Sequence, residues 1–254
     1  MGTNPFDLTG KKAIVAGGTG DLGRGLVAAL RDAGADVVIL GRSENTPRVA
    51  KELERGGEVR IAGIRVDLTD RRALREGFEQ ALEILGTIDV LVNSQGIQRR
   101  YPAEEFPIEE WDEVIEVNLT SVFELCQLAG RVMLAKGYGK IINIGSLNGF
   151  TGGITIPAYA ASKGGVAQIT KSFSNEWAGR GVSVNAIAPG YMDTRMTEAL
   201  VNDPVRNAQI LARIPIGRWG RPEDLGGPVV FLASSASDYV TGHVMPVDGG
   251  WMGR

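Results

Sequence analysis

Lys11-Lys12-Ala13-Ile14-Val15-Ala16-Gly17-Gly18-Thr19-Gly20-Asp21-Leu22-Gly23 is the stretch on which the fold of this chain turns. An apolar, β-branched run stops at a cluster of glycines, and a segment of 3.6-residue periodicity (21–33) begins inside that cluster. The glycines at 18, 20 and 23 have the spacing GxGxxG in its required context, with a strand before it and a helix after it. Backbone N–H groups at the positive end of that helix are then free to hold a pyrophosphate. Gly17, Gly18, Thr19, Gly20, Asp21, Leu22 and Gly23 are the expected contacts.

The same strand-then-helix rhythm continues along the chain. Further apolar runs occur at 36–40, 59–66, 88–93, 140–144, 182–187 and 243–247, with helical periodicity at 72–85, 109–136, 159–179 and 222–234. Alternation of this kind predicts a seven-stranded parallel sheet covered by helices on both faces, a doubly wound Rossmann-type α/β fold. A single domain over 1–254 is expected, because nothing resembling a linker or a repeat interrupts it. The segment 192–219 is the longest departure from the rhythm, and it is expected to be a lid, since ligands of such folds sit beyond the carboxyl ends of the strands.

Composition narrows the field. The 254 residues are 43% hydrophobic and 22% charged with a net charge of -3, which gives no basic stripe for nucleic acid and no polybasic membrane patch. One cysteine and one histidine leave no soft-ligand pair for zinc, so no metal is expected; His243 reads as structural or as a minor substrate contact. No apolar stretch looks like a signal peptide or a membrane span, and a cytoplasmic location is expected.

The second strand ends in Leu40-Gly41-Arg42-Ser43, where a dinucleotide fold usually places an acid for the ribose hydroxyls. Arg42 suits a 2′-phosphate instead, which predicts NADP in preference to NAD. Asp67, followed by Leu68 after the third strand, has two readings: an acceptor for the adenine amino group, or a cap for the next helix through Asp67 or Thr69.

Tyr159 and Lys163 stand four apart on a predicted helix and therefore share a face. A free phenol titrates near pH ~10, too high for acid–base work at neutrality, and a fixed ammonium beside it would draw that value down. With Ser146 after the fifth strand, Asn93-Ser94-Gln95-Gly96 after the fourth, Asn118 in the long helix, Pro189-Gly190 leading to Thr194, and Asp248-Gly249-Gly250, the chain resembles the short-chain dehydrogenase/reductase family over essentially its whole length. The resemblance implies an oxidoreductase that interconverts a secondary alcohol and a ketone with NADP or NAD. Ser146 would polarise the carbonyl, Tyr159 would pass the proton, Lys163 would bind the nicotinamide ribose, and Asn118 would hold a relay water. Thr194, Pro189, Gly190, Asn93 and Gly96 would contact the cofactor.

The family fingerprint TGxxxGxG departs here in two places, Ala16 for its Thr and Asp21 for its middle Gly, so the Asp21 carboxylate should turn away from the pyrophosphate. Within the family, the C-terminal third is similar to bacterial sugar-acid dehydrogenases acting on gluconate and deoxy-ketogluconate. A small carboxylate substrate is thus expected, gripped by Arg99, Arg100 or Arg218, with Asn148 and Tyr191 near the reacting carbon; a homotetramer is implied. The alternatives are a 3-ketoacyl or general ketone reductase, and, in another class, a catalytically silent dinucleotide-sensing protein.

Overall fold

A computed structural model describes residues 4–54 and 59–254. The expected strand at 59–66 begins next to the undescribed residues and is seen at Ile61–Arg65. The seven strands are β1 (Lys12–Ala16), β2 (Asp36–Gly41), β3 (Ile61–Arg65), β4 (Val90–Asn93), β5 (Gly139–Ile144), β6 (Val182–Pro189) and β7 (Val244–Val247). They form one parallel sheet in the order β3-β2-β1-β4-β5-β6-β7.

Alternating side chains of each strand enter two cores. Ile14 and Ala16 of β1 face one layer together with Leu74, Phe78, Leu125 and Phe173, whereas Ala13 and Val15 face the other with Leu26, Leu30, Val229 and Leu232. Burial on both faces is why these strands read as unbroken apolar runs rather than alternating ones. The first layer is covered by α3 (Arg71–Leu85), α5 (Ser121–Lys136) and α6 (Pro157–Trp177), the second by α1 (Asp21–Asp32), α2 (Thr46–Glu54) and α9 (Gly226–Ala233).

The chain moves outward from β1 to β3 and then returns to β4, so the strand order reverses between β1 and β4. The loops after these two strands part there and open a crevice. They still touch at their base: Gly17 has φ +75°, and a Cβ on it would lie 2.5 Å from the Gln95 amide nitrogen, so only glycine fits.

Several features differ from the sequence reading, and α2 is an addition to it. The expected helix 109–136 is α4 (Ile108–Ile115) and α5 joined by a π turn at Glu116–Thr120. The segment 192–219 is not irregular throughout but holds α7 (Glu198–Val201) and α8 (Pro204–Leu211). The α3 cap is Asp70, whose carboxylate accepts from the Arg72 and Ala73 amides, rather than Asp67 or Thr69. No helix among the described residues is long and apolar enough to cross a membrane.

Candidate active site

A cleft of about 780 Å³ lies at the carboxyl ends of the strands, bounded by the glycine loop, the loops after β4, β5 and β6, the segment 192–219, and Trp251. Ser146, the first residue clear of β5 after Gly145, extends its backbone (φ -167°) and accepts from the Asn148 amide at 3.1 Å. The hydroxyl is thereby fixed at the mouth of a short turn. Tyr159 and Lys163 project from the first turns of α6, which starts at Pro157. The Lys163 ammonium lies 5.8 Å from the Tyr159 ring centroid and donates to the Ile144 carbonyl at 2.7 Å.

Burial dominates the electrostatics of this pair. It lowers Lys163 to about 8 and raises the Tyr159 phenol, against the opposing hydrogen bond with Ser146. The expected drawing-down of the phenol by the ammonium is therefore not met in the free protein. Desolvation disfavours each charge separately, leaving a neutral phenol beside a mostly protonated amine at neutral pH.

The π turn places Asn118 inside the molecule, where one extra residue per turn re-aims its side chain. Its Oδ1 accepts from the Ile97 amide at 2.8 Å, while Nδ2 donates to the Ile97 carbonyl and to Ser162 Oγ at 2.9 and 3.1 Å. Ser162 Oγ in turn donates to the Tyr159 carbonyl at 2.8 Å. Asn118 thus ties the loop after β4 to the start of α6.

The expected dinucleotide contacts fall into two groups. Gly20, Asp21, Leu22, Gly23, Gly96, Pro189, Gly190 and Thr194 line the cleft. Gly17 and Gly18 pack behind it, Gly18 against Ile39, and Thr19 lies against Gly41 at the end of β2, next to the exposed Arg42. Asn93 is turned into a buried network, donating to Asn143 Oδ1 and Cys126 Sγ. Asp67 accepts from the Thr69 amide and hydroxyl, which together with the nearby Arg42 hold its carboxyl below the usual range; Leu68 is buried beside it.

These residues fit a nicotinamide dinucleotide. Among the described residues no side chain caps the start of α1, so its first amides open into the cleft, and Ser94 Oγ and Gln95 Oε1 are buried without a partner. At Gly96 a Cβ would stand 3.5 Å from Asn118 Oδ1 and 3.6 Å from Lys163 Nζ, filling space that glycine leaves clear. The Asp21 carboxylate, for which a turn away from the pyrophosphate was expected, is bound to the segment 192–219: it accepts from the Arg195 backbone at 2.8 Å and from Arg195 Nε at 3.0 Å.

The arginines are distributed differently from the sequence expectation. Arg99 lies outside the cleft, paired to Glu110 and Glu113. Arg218 is bound by Asp224 and borders a smaller depression on the far side of Tyr191. Arg100, Asn148 and Tyr191 do line the main cleft. So do Arg206 and Arg213, which sequence reasoning missed because they reach the site only through the folding of the segment 192–219.

Fold and cleft define a dinucleotide-binding oxidoreductase whose cleft is lined by Ser146, Tyr159 and Lys163. The sequence matches the family model for enoyl-(acyl carrier protein) reductase over residues 17–252. It is 50% identical over 250 residues to 2-dehydro-3-deoxy-D-gluconate 5-dehydrogenase of Bacillus subtilis, covering 98% of this chain and 97% of the relative. It is 40% identical over 247 residues to 5-keto-D-gluconate 5-reductase of Escherichia coli, covering 97% of each. A gluconate 5-dehydrogenase from Burkholderia cenocepacia, solved in complex with NADP and tartrate, superposes with a TM-score of 0.93 at 38% identity over 98% of both chains. The chain belongs to the short-chain dehydrogenase/reductase family and is an NAD(P)-dependent oxidoreductase.

Proposed function

We propose that this protein interconverts a secondary alcohol and a ketone on a sugar acid of the gluconate or deoxy-ketogluconate type, using NADP. One observation carries the reading. The serine–tyrosine–lysine centre opens into a cleft whose charged lining is Arg100, Lys163, Arg195, Arg206 and Arg213 against the single carboxylate of Asp21. A lining with that excess of cations favours an anionic substrate beside an anionic cofactor.

The bound nicotinamide supplies or accepts the hydride. The chain's own groups handle the proton and the developing charge. Ser146 and Tyr159 present two hydroxyls to the substrate oxygen, and Tyr159 gives its proton to a ketone oxygen or accepts one from an alcohol. Lys163, protonated at neutral pH, stabilises the phenolate that forms when the proton leaves. Asn118 keeps the Tyr159 turn in register with the loop after β4. Both of its N–H donors are already used, so a relay water would be held through Oδ1.

Arg42, in the place of the ribose-binding acid, supports NADP, and so does the NADP carried by the Burkholderia cenocepacia relative. The exposed Phe123 of α5, beside Phe173 of α6, supports packing of these helices between subunits of a homotetramer. The chain acts as one domain in the cytoplasm, with the segment 192–219 as its lid.

The test is a panel followed at the nicotinamide absorbance band with NADP(H) and NAD(H): D-gluconate, 2-dehydro-3-deoxy-D-gluconate, 5-keto-D-gluconate, the neutral polyol D-glucitol, and an acetoacetyl thioester. Turnover fastest on one of the acids supports the reading. The thioester or D-glucitol turned over faster than every acid replaces it with the general alcohol/ketone oxidoreductase.

A further inference from the structure

We propose that Arg213, seated on the face of Trp251, is the anchor for the substrate carboxylate. The inference rests on the sugar-acid reading above and names the residue that selects the acid.

Among the arginines near the centre, three are already neutralised by carboxylates: Arg99 by Glu110 and Glu113, Arg195 by Asp21, and Arg218 by Asp224. Arg206 donates to Gln209 and Arg100 to Gln98, each a neutral partner. Arg213 forms no salt bridge among the described residues, yet it lies on the cleft wall with its guanidinium carbon 4.1 Å from the Trp251 ring centroid. A guanidinium over an indole gives up one face and keeps its N–H edge, so it can still meet a carboxylate with two parallel hydrogen bonds.

The indole itself is held fast. Trp251 is buried against Ile210, Ile214 and Leu147, and its ring centroid is 4.6 Å from that of Tyr191. Leu147 directly follows Ser146, so the cluster that supports Arg213 also adjoins the catalytic hydroxyl. The C-terminal segment is tied to the lid on both sides of the pair: Arg254 donates to the Ala212 carbonyl at 2.7 Å, and the Ile216 amide donates to the Gly249 carbonyl at 3.1 Å. The Asp248 carboxylate accepts from the Gly250 and Met252 amides, closing the turn that presents Trp251. A positively charged fork thus lies over a rigid ring, at the cleft, with no salt-bridging carboxylate among the described residues.

The experiment compares wild type with Arg213→Gln, Arg213→Lys and Trp251→Leu. The substrate is whichever of D-gluconate, 2-dehydro-3-deoxy-D-gluconate and 5-keto-D-gluconate the wild type turns over best, with D-glucitol as the neutral probe and NADP affinity read by fluorescence. Arg213→Gln should raise KM for the acid about 10- to 100-fold, the usual scale for a lost charge-assisted bidentate contact, with kcat within about threefold. The dissociation constant for NADP should change far less than KM for the acid, and so should any turnover of glucitol. Arg213→Lys should recover only part of the KM, because a point charge replaces the fork, and Trp251→Leu should fall between wild type and Arg213→Gln. An unchanged KM in Arg213→Gln, or losses shared equally by acid, glucitol and NADP, overturns the anchor while leaving the sugar-acid reading in place. Failure of wild type to turn over any of the three acids removes both.

Discussion

Replacing Lys163 with methionine should change how stability depends on pH, by an amount the structure sets. Lys163 is 4% exposed, and burial lowers it from 10.5 to about 8. At 1.36 kcal/mol per unit, that difference corresponds to about 3 kcal/mol of cost for carrying the ammonium in the folded protein at neutral pH. The folded-state value lies below the unfolded one, so between pH 8 and 10.5 the unfolded chain binds more protons and stability rises with pH. The cost is fully present below about 8 and gone above 10.5. From about pH 7 to about pH 9.5 the wild type should therefore regain about 2 kcal/mol that Lys163→Met cannot. The variant also leaves the Ile144 carbonyl without its 2.7 Å donor, a penalty of about 1–3 kcal/mol that is constant with pH and drops out of the comparison. Tyr159, whose phenol is raised, is present in both proteins and its contribution largely cancels. Urea unfolding followed by tryptophan fluorescence, at matched protein concentration and at the two pH values, gives the four free energies. If wild type and variant change by the same amount, burial does not depress Lys163 and the account of its desolvation is wrong.

Arg42→Asp should move kcat/KM toward NAD by about tenfold or more, since a carboxylate repels a 2′-phosphate and accepts from a ribose hydroxyl; an unmoved ratio shows that Arg42 does not discriminate. Cutting the Asp21–Arg195 link with Asp21→Ala should cost under about 1 kcal/mol of stability, because Arg195 is largely exposed. It should nonetheless speed limited proteolysis within 192–219, and an unchanged cleavage rate there would show that the link does not hold the segment down.

The fold was legible because its strands are buried on both faces, which leaves uniform apolar runs, and because the β1 glycines sit where the strand order reverses. The helix α2 was missed: Thr46–Glu54 is short and polar, with only Val49 and Ala50 of its apolar residues deeply buried, so its periodicity is faint. In the segment 192–219 a signal was present and passed over, since Asp203 before Pro204 is a helix start and the Asp203 carboxylate does accept from the Val205 and Arg206 amides. The π turn was not read from the sequence, although Val117, Asn118 and Thr120 are weak helix formers, because it is a change of hydrogen-bond register inside a run whose helical periodicity continues. The Tyr159–Lys163 pair was visible because one helix carries it. Arg213 was not, because its partner Trp251 is distant in the chain and meets it only after the lid and the C-terminal segment fold together. Spacing likewise could not show that Arg99 and Arg218 would be taken up by Glu110, Glu113 and Asp224.

The central claim is that the Tyr159 hydroxyl moves the proton in a reaction on a sugar acid, and Tyr159→Phe tests it by deleting that one oxygen. Turnover of the preferred acid with NADP should fall by about 10²- to 10⁴-fold while the dissociation constant for NADP stays within about twofold, as expected when the group acts in the transition state rather than in binding. A variant that keeps kcat near the wild-type value would contradict the account.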